Sequence, residues 1–121
     1  MNKIKFKNGV CFNTDCMKLM KEMKTDSVDL TLTDIPYDGV NRKSNGLRNL
    51  DKGKADILTF DLHSFLDEVY RVTKGTAIIF CGQNQLSEIF NYFDNFAKKN
   101  KGTVRQLVYA KTNPSPMNGK Y

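Results

Sequence analysis

The spacing of apolar residues changes from helical to extended in the first part of this chain, and that change limits what it can fold into. Four apolar residues follow the i, i+3, i+4, i+7 spacing that is typical of one helix face: Cys16, Leu19, Met20 and Met23. Further along the chain, Val28, Leu30 and Leu32 alternate with polar residues, as is typical of a strand. We therefore predict a helix at about 15–24, capped by Thr14 or Asp15, and a strand that ends at Asp34.

Two more helices, each followed by a strand, are predicted downstream. The helical spacing recurs in two apolar sets: Leu62, Phe65, Leu66, Val69 and Val72; then Leu86, Ile89, Phe90, Phe93, Phe96 and Ala97. Lys74-Gly75 is expected to cap the first of these helices, and residues 98–102 to close the second. The apolar runs 76–81 and 103–110 are expected to form strands.

Helices that alternate with strands at these lengths predict the α/β class. Crossover connections between successive strands give a mainly parallel sheet with helices on both faces. Ligands of such sheets bind beyond the carboxyl ends of the strands. This rule selects two places, the segment after Asp34 and the segment 82–84.

Composition excludes several classes of protein. With 40% hydrophobic and 26% charged residues over 121 positions, the chain is expected to be one globular domain, 1–121. Its 3 cysteines include no Cys-x-x-Cys pair, so we interpret them as reduced core residues of a cytoplasmic protein, not as a disulfide framework or metal site. No apolar run has the length of a membrane span.

The positive charge of the chain has two interpretations. A count of 19 Lys and Arg against 13 Asp and Glu gives a net charge of +6, which suits DNA as a partner but also a solvated lysine surface. The polar segment 38–56 is predicted to be a long, mobile basic loop that grips DNA, or a disordered polar loop. The candidate DNA contacts are Arg42, Lys43, Arg48 and Lys111.

Residues 34–37, which we call the clamp, contain three groups with separate chemical uses. An exocyclic amine of adenine or cytosine is a poor nucleophile because its lone pair is delocalised into the ring. Two acceptors, the Asp34 carboxylate and the carbonyl of Ile35 or Pro36, would localise electron density on that nitrogen. Pro36 fixes the backbone, and Tyr37 offers a flat face to a base swung out of a duplex. The alternative is an ordinary strand followed by a proline turn.

Segments along nearly the whole chain carry a resemblance to one family. They are 14–20 (Thr-Asp-Cys-Met-Lys-Leu-Met), 26–37 with the clamp, 65–75, and 109–114 (Tyr-Ala-Lys-Thr-Asn-Pro). Together they resemble DNA amino-methyltransferases of the adenine-N6/cytosine-N4 type, in which the catalytic motif precedes the cofactor motif. The resemblance implies the N-terminal catalytic part of such an enzyme, with a partial Rossmann-like methyltransferase fold.

The resemblance also implies roles for particular residues. Asp34, Pro36 and Tyr37 would be catalytic and hold the target base, with adenine favoured, while Asp15 and Asp34 would lie near S-adenosylmethionine. The family usually has Pro where this chain has Ile35, which removes one locked torsion. The family's Phe-x-Gly-x-Gly cofactor loop is absent from the sequence, so the isolated chain is expected to bind the cofactor weakly or not at all and to show no turnover.

Other functions and partners are alternatives. The chain is alternatively a non-catalytic fragment that binds DNA or a partner chain, or an amino-methyltransferase that acts on RNA or protein. A second chain or a C-terminal region would carry the cofactor loop, and an uncovered sheet edge would favour self-association. Cys81 is interpreted as a core thiol, because it lacks the Pro-Cys context of the cysteine used in carbon-5 methylation of cytosine. His63 is interpreted as a surface or capping residue, because it has no visible catalytic companion.

Overall fold

The computed structural model describes residues 1–37, 57–100, 102–110 and 112. Within them lie three helices and four strands: β1 (Asn2–Phe6), β2 (Gly9–Asn13), α1 (Cys16–Glu22), β3 (Val28–Asp34), α2 (Leu62–Val72), β4 (Thr73–Phe80) and α3 (Leu86–Asn100). The strands pair as two separate two-stranded sheets, β1 with β2 and β3 with β4. This part of the chain is therefore a small α/β protein.

The chain divides into two compact units. The first consists of Met1–Asp34 and Thr59–Phe80, and it contains both sheets together with α1 and α2. The second consists of Ile35–Leu58 and Cys81–Tyr121, and its described residues contain α3. In the described parts of both units, every helix is too short or too polar to cross a membrane.

In the first unit, β3 and β4 run parallel and end level with one another. The register pairs Leu32 with Ile78, and it pairs Asp34 with Phe80, the last residues of the two strands. The strand predicted to end at Asp34 is confirmed, and the pairing is parallel as the alternation of helices and strands predicted. The carboxyl ends of both strands therefore lie side by side.

The sequence predicted that Gly75 caps a helix, but this residue lies inside β4. Helix α2 ends at Val72, and the strand begins at the next residue. The register shifts between Val28 and Leu30, near the start of the pair. A Cβ on Gly75 would overlap the Asp29 carbonyl oxygen, so a glycine is needed at this close approach of the two backbones.

The apolar face of α2 supplies most of the buried side chains of the first unit. Its buried residues are those that the helical spacing selected: Leu62, Phe65, Leu66, Val69 and Val72. Leu66 and Val69 are both 0% exposed. At the start of the helix, the Asp61 carboxylate accepts hydrogen bonds from the backbone and the hydroxyl of Ser64, each at 2.8 Å. These bonds lower the pKa of Asp61, which keeps the helix cap charged.

Arg71 ties the end of α1 to α2. Its guanidinium donates to the carbonyls of Met20 (2.6 Å) and Met23 (2.8 Å) and pairs with Glu68 (2.6 Å). The Asp26 backbone N–H donates in turn to the Arg71 carbonyl (2.9 Å). The last carbonyls of a helix have no partner inside the helix, and a cation there also interacts favourably with the helix dipole. Arg71 thus fixes the connection from α1 into β3, the strand that leads to the clamp.

A β-hairpin at the N-terminus was absent from the predictions. β1 and β2 pair antiparallel, with Phe6 opposite Gly9 and a two-residue turn between them. Every residue of both strands is exposed. The signal was present in the sequence, because Lys3-Ile4-Lys5-Phe6 alternates and Asn8-Gly9 is a turn dipeptide.

One face of the β3–β4 sheet is apolar and exposed. We call it the exposed sheet face; its members are Leu30, Leu32, Ile78 and Phe80. Leu32 is 64% exposed. Parallel sheets are generally covered on both faces. The sequence predicted helices on both faces of the sheet. Among the described residues, no helix covers this face.

The strand predicted at 103–110 does not form. Helix α3 is confirmed, and the Gly102 N–H donates to the Ala97 carbonyl (3.1 Å) just beyond its end. The structure assigns no strand to residues 102–110, where Leu107 is 85% exposed. A strand is stabilised by a paired neighbour, and none of the described strands pairs with this segment.

Candidate functional site

Asp34 lies where the sequence predicted a ligand-binding position, at the carboxyl end of a parallel strand. Its side chain is exposed to solvent. As the last residue of β3, it has the same orientation as Leu30 and Leu32, because strand residues two positions apart share a face. A carboxylate is therefore presented at the edge of the sheet, directly before the rest of the clamp.

The remaining clamp residues are held in the second unit by contacts with the segment that follows β4. Ile35 is 4% exposed, and Pro36 and Tyr37 are half-buried. The Gln85 side-chain nitrogen Nε2 donates to the Pro36 carbonyl oxygen at 2.8 Å. The two segments that the rule of strand ends selected, after Asp34 and around 82–84, therefore meet in the structure.

Gln85 is bonded on both sides of its amide. Besides the bond to Pro36, its oxygen Oε1 accepts from the Gly82 backbone N–H at 2.9 Å. The Gln85 backbone N–H donates to the Gly82 carbonyl (3.0 Å), and Ile89 N–H donates to the Gln85 carbonyl (3.1 Å), which anchors the residue at the start of α3. The side chain thus joins the Gly82 turn to the clamp.

Gly82 gives Tyr37 room to approach. A Cβ on Gly82 would lie 3.2 Å from the Tyr37 Cβ and 2.9 Å from the Asn84 side-chain oxygen, both closer than ordinary van der Waals contact. Any larger residue would displace one of these neighbours. The glycine therefore belongs to the support of the clamp.

The other predicted site residues lie elsewhere. Asp15 caps α1, with its Oδ1 accepting from the backbone N–H groups of Met17 (2.8 Å) and Lys18 (3.1 Å). Four candidate DNA contacts lie outside the described residues: Arg42, Lys43, Arg48 and Lys111. So does the whole segment 38–56. Among the described residues, no group of side chains could hold a metal ion.

The prediction that the cysteines are core residues is wrong. Cys11 and Cys16 are exposed, and Cys81 is only half-buried. Partial burial of the thiol raises the pKa of Cys81, and it also raises the pKa of Cys16, with a further contribution from the charge of Asp15. Both thiols therefore stay protonated at neutral pH and are poor nucleophiles.

Most of this chain is similar to a type II methyltransferase. It is 34% identical over 87 residues to the type II methyltransferase M.HpaI of Haemophilus parainfluenzae, across 70% of this chain. This similarity supports a methyltransferase relationship. The match covers 26% of the relative, so the chain spans about a quarter of that protein's length. No family model and no solved structure matches the chain.

Gln85 is the site residue that the sequence did not reveal. The rule of strand ends selected 82–84 and stopped one residue before it. Its contact with Pro36 joins residues 49 positions apart, and no local spacing encodes such a contact. The available signal was a polar residue immediately before the apolar face of α3, at a position where helices are commonly capped.

Proposed function

We propose that this chain is the base-binding part of a DNA methyltransferase that acts on an exocyclic amine, with adenine N6 favoured, and that the complete fold is Rossmann-like. The observation that carries the proposal is the clamp itself. Asp34 ends a parallel strand, and in the segment that follows it the Pro36 carbonyl accepts a hydrogen bond from the buried Gln85 side chain. Carboxylate, backbone acceptor and aromatic ring thus follow one another without a break.

The clamp supplies two acceptors for the two hydrogens of an amine. One is the Asp34 carboxylate. The sequence left open whether the second is the carbonyl of Ile35 or of Pro36. Because the Pro36 carbonyl already accepts from Gln85, the Ile35 carbonyl is the better candidate. Acceptors from these two residues would favour the electron-rich form of the nitrogen without forming a covalent bond.

We propose that this chain supplies only part of a site for S-adenosylmethionine. The Asp15 oxygen Oδ1 is engaged by the first turn of α1. The sequence also contains no Phe-x-Gly-x-Gly loop. We therefore assign base binding to this chain and propose that it has no turnover on its own. A second chain or a further region would complete the cofactor site.

Base recognition is testable without turnover. We expect the chain to bind an oligo(dT) strand with one central dA about tenfold more tightly than the same strand with deoxyinosine there, because inosine replaces the amine with a carbonyl. Asp34→Ala should abolish this preference. Fluorescence anisotropy titrations measure both affinities. Asp29→Ala is the matched control, because it removes the same charge from an exposed position of the same strand. Equal affinities for the two strands in the unmutated chain would exclude recognition of the amine.

A second candidate function, a non-catalytic interaction module, is favoured by the exposed sheet face. Its four side chains leave on the order of 400 Å² of apolar surface, comparable with the largest patch of a typical monomer. Two copies joined through it would bury about 800 Å², less than a standard interface. The expected partner is a second copy of this chain, and the association is expected to be weak.

Sedimentation velocity at rising protein concentration tests this association. We expect the sedimentation coefficient to increase with concentration, and Leu32→Lys to abolish the increase by placing a charge on the exposed sheet face. Leu107→Lys is the control, because Leu107 is also an exposed leucine but lies in the other unit. A sedimentation coefficient that stays constant in the unmutated chain would rule out pairing between copies through this face.

A further inference from the structure

Gln85 is a buried polar side chain whose orientation is set by chemistry. It is 5% exposed, although its residue type is usually found at the surface. The Gly82 N–H can only donate, so it must face the amide oxygen of Gln85. The amide nitrogen is then the donor to the Pro36 carbonyl, which can only accept. A glutamate at this position would place an acceptor against that carbonyl.

The bond to Pro36 restrains a soft torsion within the clamp. The proline ring fixes φ of Pro36, and peptide bonds are planar. The direction of the Pro36 carbonyl therefore determines ψ, and ψ determines where Tyr37 lies relative to the Ile35 carbonyl. Ile35 lacks the locked torsion of a proline, but its own burial restricts it. Gln85 thus restrains ψ of Pro36, which the proline ring leaves free.

We propose that Gln85 is a positioning residue that determines selectivity for an amine-bearing base. It holds the Pro36 carbonyl away from the base, so that the Ile35 carbonyl and the Tyr37 ring keep a fixed relation. This inference rests on the proposed function, because selectivity has meaning only if the clamp binds a base. Gln85 does not touch the base and acts through the backbone of the turn.

Substitution of Gln85 separates positioning from simple stability. Gln85→Glu keeps an acceptor for the Gly82 N–H but loses the donor to Pro36, whereas Gln85→Met removes both. We expect both variants to lower the preference for the dA strand over the inosine strand from about tenfold to less than twofold. Gln83→Glu, an exposed position in the same turn, should leave the ratio unchanged and controls for added charge. If the role of Gln85 were only structural, the two variants would lower the melting temperature and would weaken binding of the dA and inosine strands by the same factor. The ratio of the two affinities would then stay unchanged.

The outcomes separate failure of this inference from failure of the proposed function. If the unmutated chain shows no preference for dA, base recognition itself fails. If the unmutated chain shows the preference and folded Gln85→Glu retains it, the positioning role is overturned. If neither variant folds, nuclear magnetic resonance of the Gln85 side-chain amide in the unmutated chain tests the positioning role instead. We expect its resonances to shift on addition of the dA strand and not of the inosine strand; equal shifts, or none, would overturn the proposal.

Discussion

Replacing Leu66 with alanine is expected to lower the free energy of unfolding by about 3 kcal/mol. Leu66 lies on the buried face of α2 and is completely shielded from solvent. Its truncation removes the transfer free energy of the lost methyl groups and leaves a cavity that the neighbours fill only in part. Small domains are stable by roughly 5–15 kcal/mol, so this loss is a large fraction of the total. Urea denaturation, followed by circular dichroism, measures it.

Leu107→Ala is the matched control for this substitution. The same atoms are removed from a side chain that is almost fully exposed, and we expect a change within about 0.5 kcal/mol. The comparison isolates burial from side-chain chemistry. Similar losses in the two variants would contradict the assignment of α2 as the core element of the first unit.

Replacing Tyr37 with alanine is expected to weaken binding of the dA oligonucleotide by roughly 5- to 150-fold. Stacking of a base on an aromatic ring contributes about 1–3 kcal/mol, and Tyr37 is the ring of the clamp. The dA and inosine strands should lose affinity by the same factor, because every base presents a π face. Tyr37→Phe keeps the ring and should retain most of the affinity. Anisotropy titrations at one fixed salt concentration measure all of these affinities.

Tyr70→Ala serves as the control for loss of a tyrosine. Tyr70 is exposed on α2 in the first unit, away from the clamp in sequence, and its replacement should leave oligonucleotide affinity unchanged. The Tyr37 and Asp34 variants are expected to differ in kind. Loss of the ring lowers both affinities, whereas loss of the carboxylate removes the difference between them. An unchanged affinity in Tyr37→Ala would remove base stacking from the proposed function.

Local patterns predicted the elements that depend on local spacing. The strand end at Asp34 and the buried face of α2 follow from their apolar periods, and the structure has both as predicted, although α2 ends before the predicted cap at Lys74-Gly75. Asp15, one of two residues named as caps for α1, does cap it. In each case a single segment buries one face or satisfies its own helix end, so neighbours in sequence contain the required information.

The errors fall where a distant partner decides the outcome. Gly75 has the sequence of a helix cap, but its place in β4 depends on the approach of Asp29 from another strand. Residues 103–110 have strand composition, but no described strand pairs with them. Strand formation depends on pairing and burial more than on the residues themselves, so composition alone misassigned this segment.

The sequence by itself determined that Asp34 ends a strand and stands shortly before a proline and an aromatic residue. Only the tertiary structure decided how these clamp residues are held. Gln85 reaches the Pro36 carbonyl across 49 positions, and Arg71 reaches the end of α1 across 51. Periodicity predicts which face of a segment is buried, but it does not predict which distant group donates a hydrogen bond to a given carbonyl. That choice depends on the path of the whole chain, and the roles proposed for the clamp and for Gln85 depend on it.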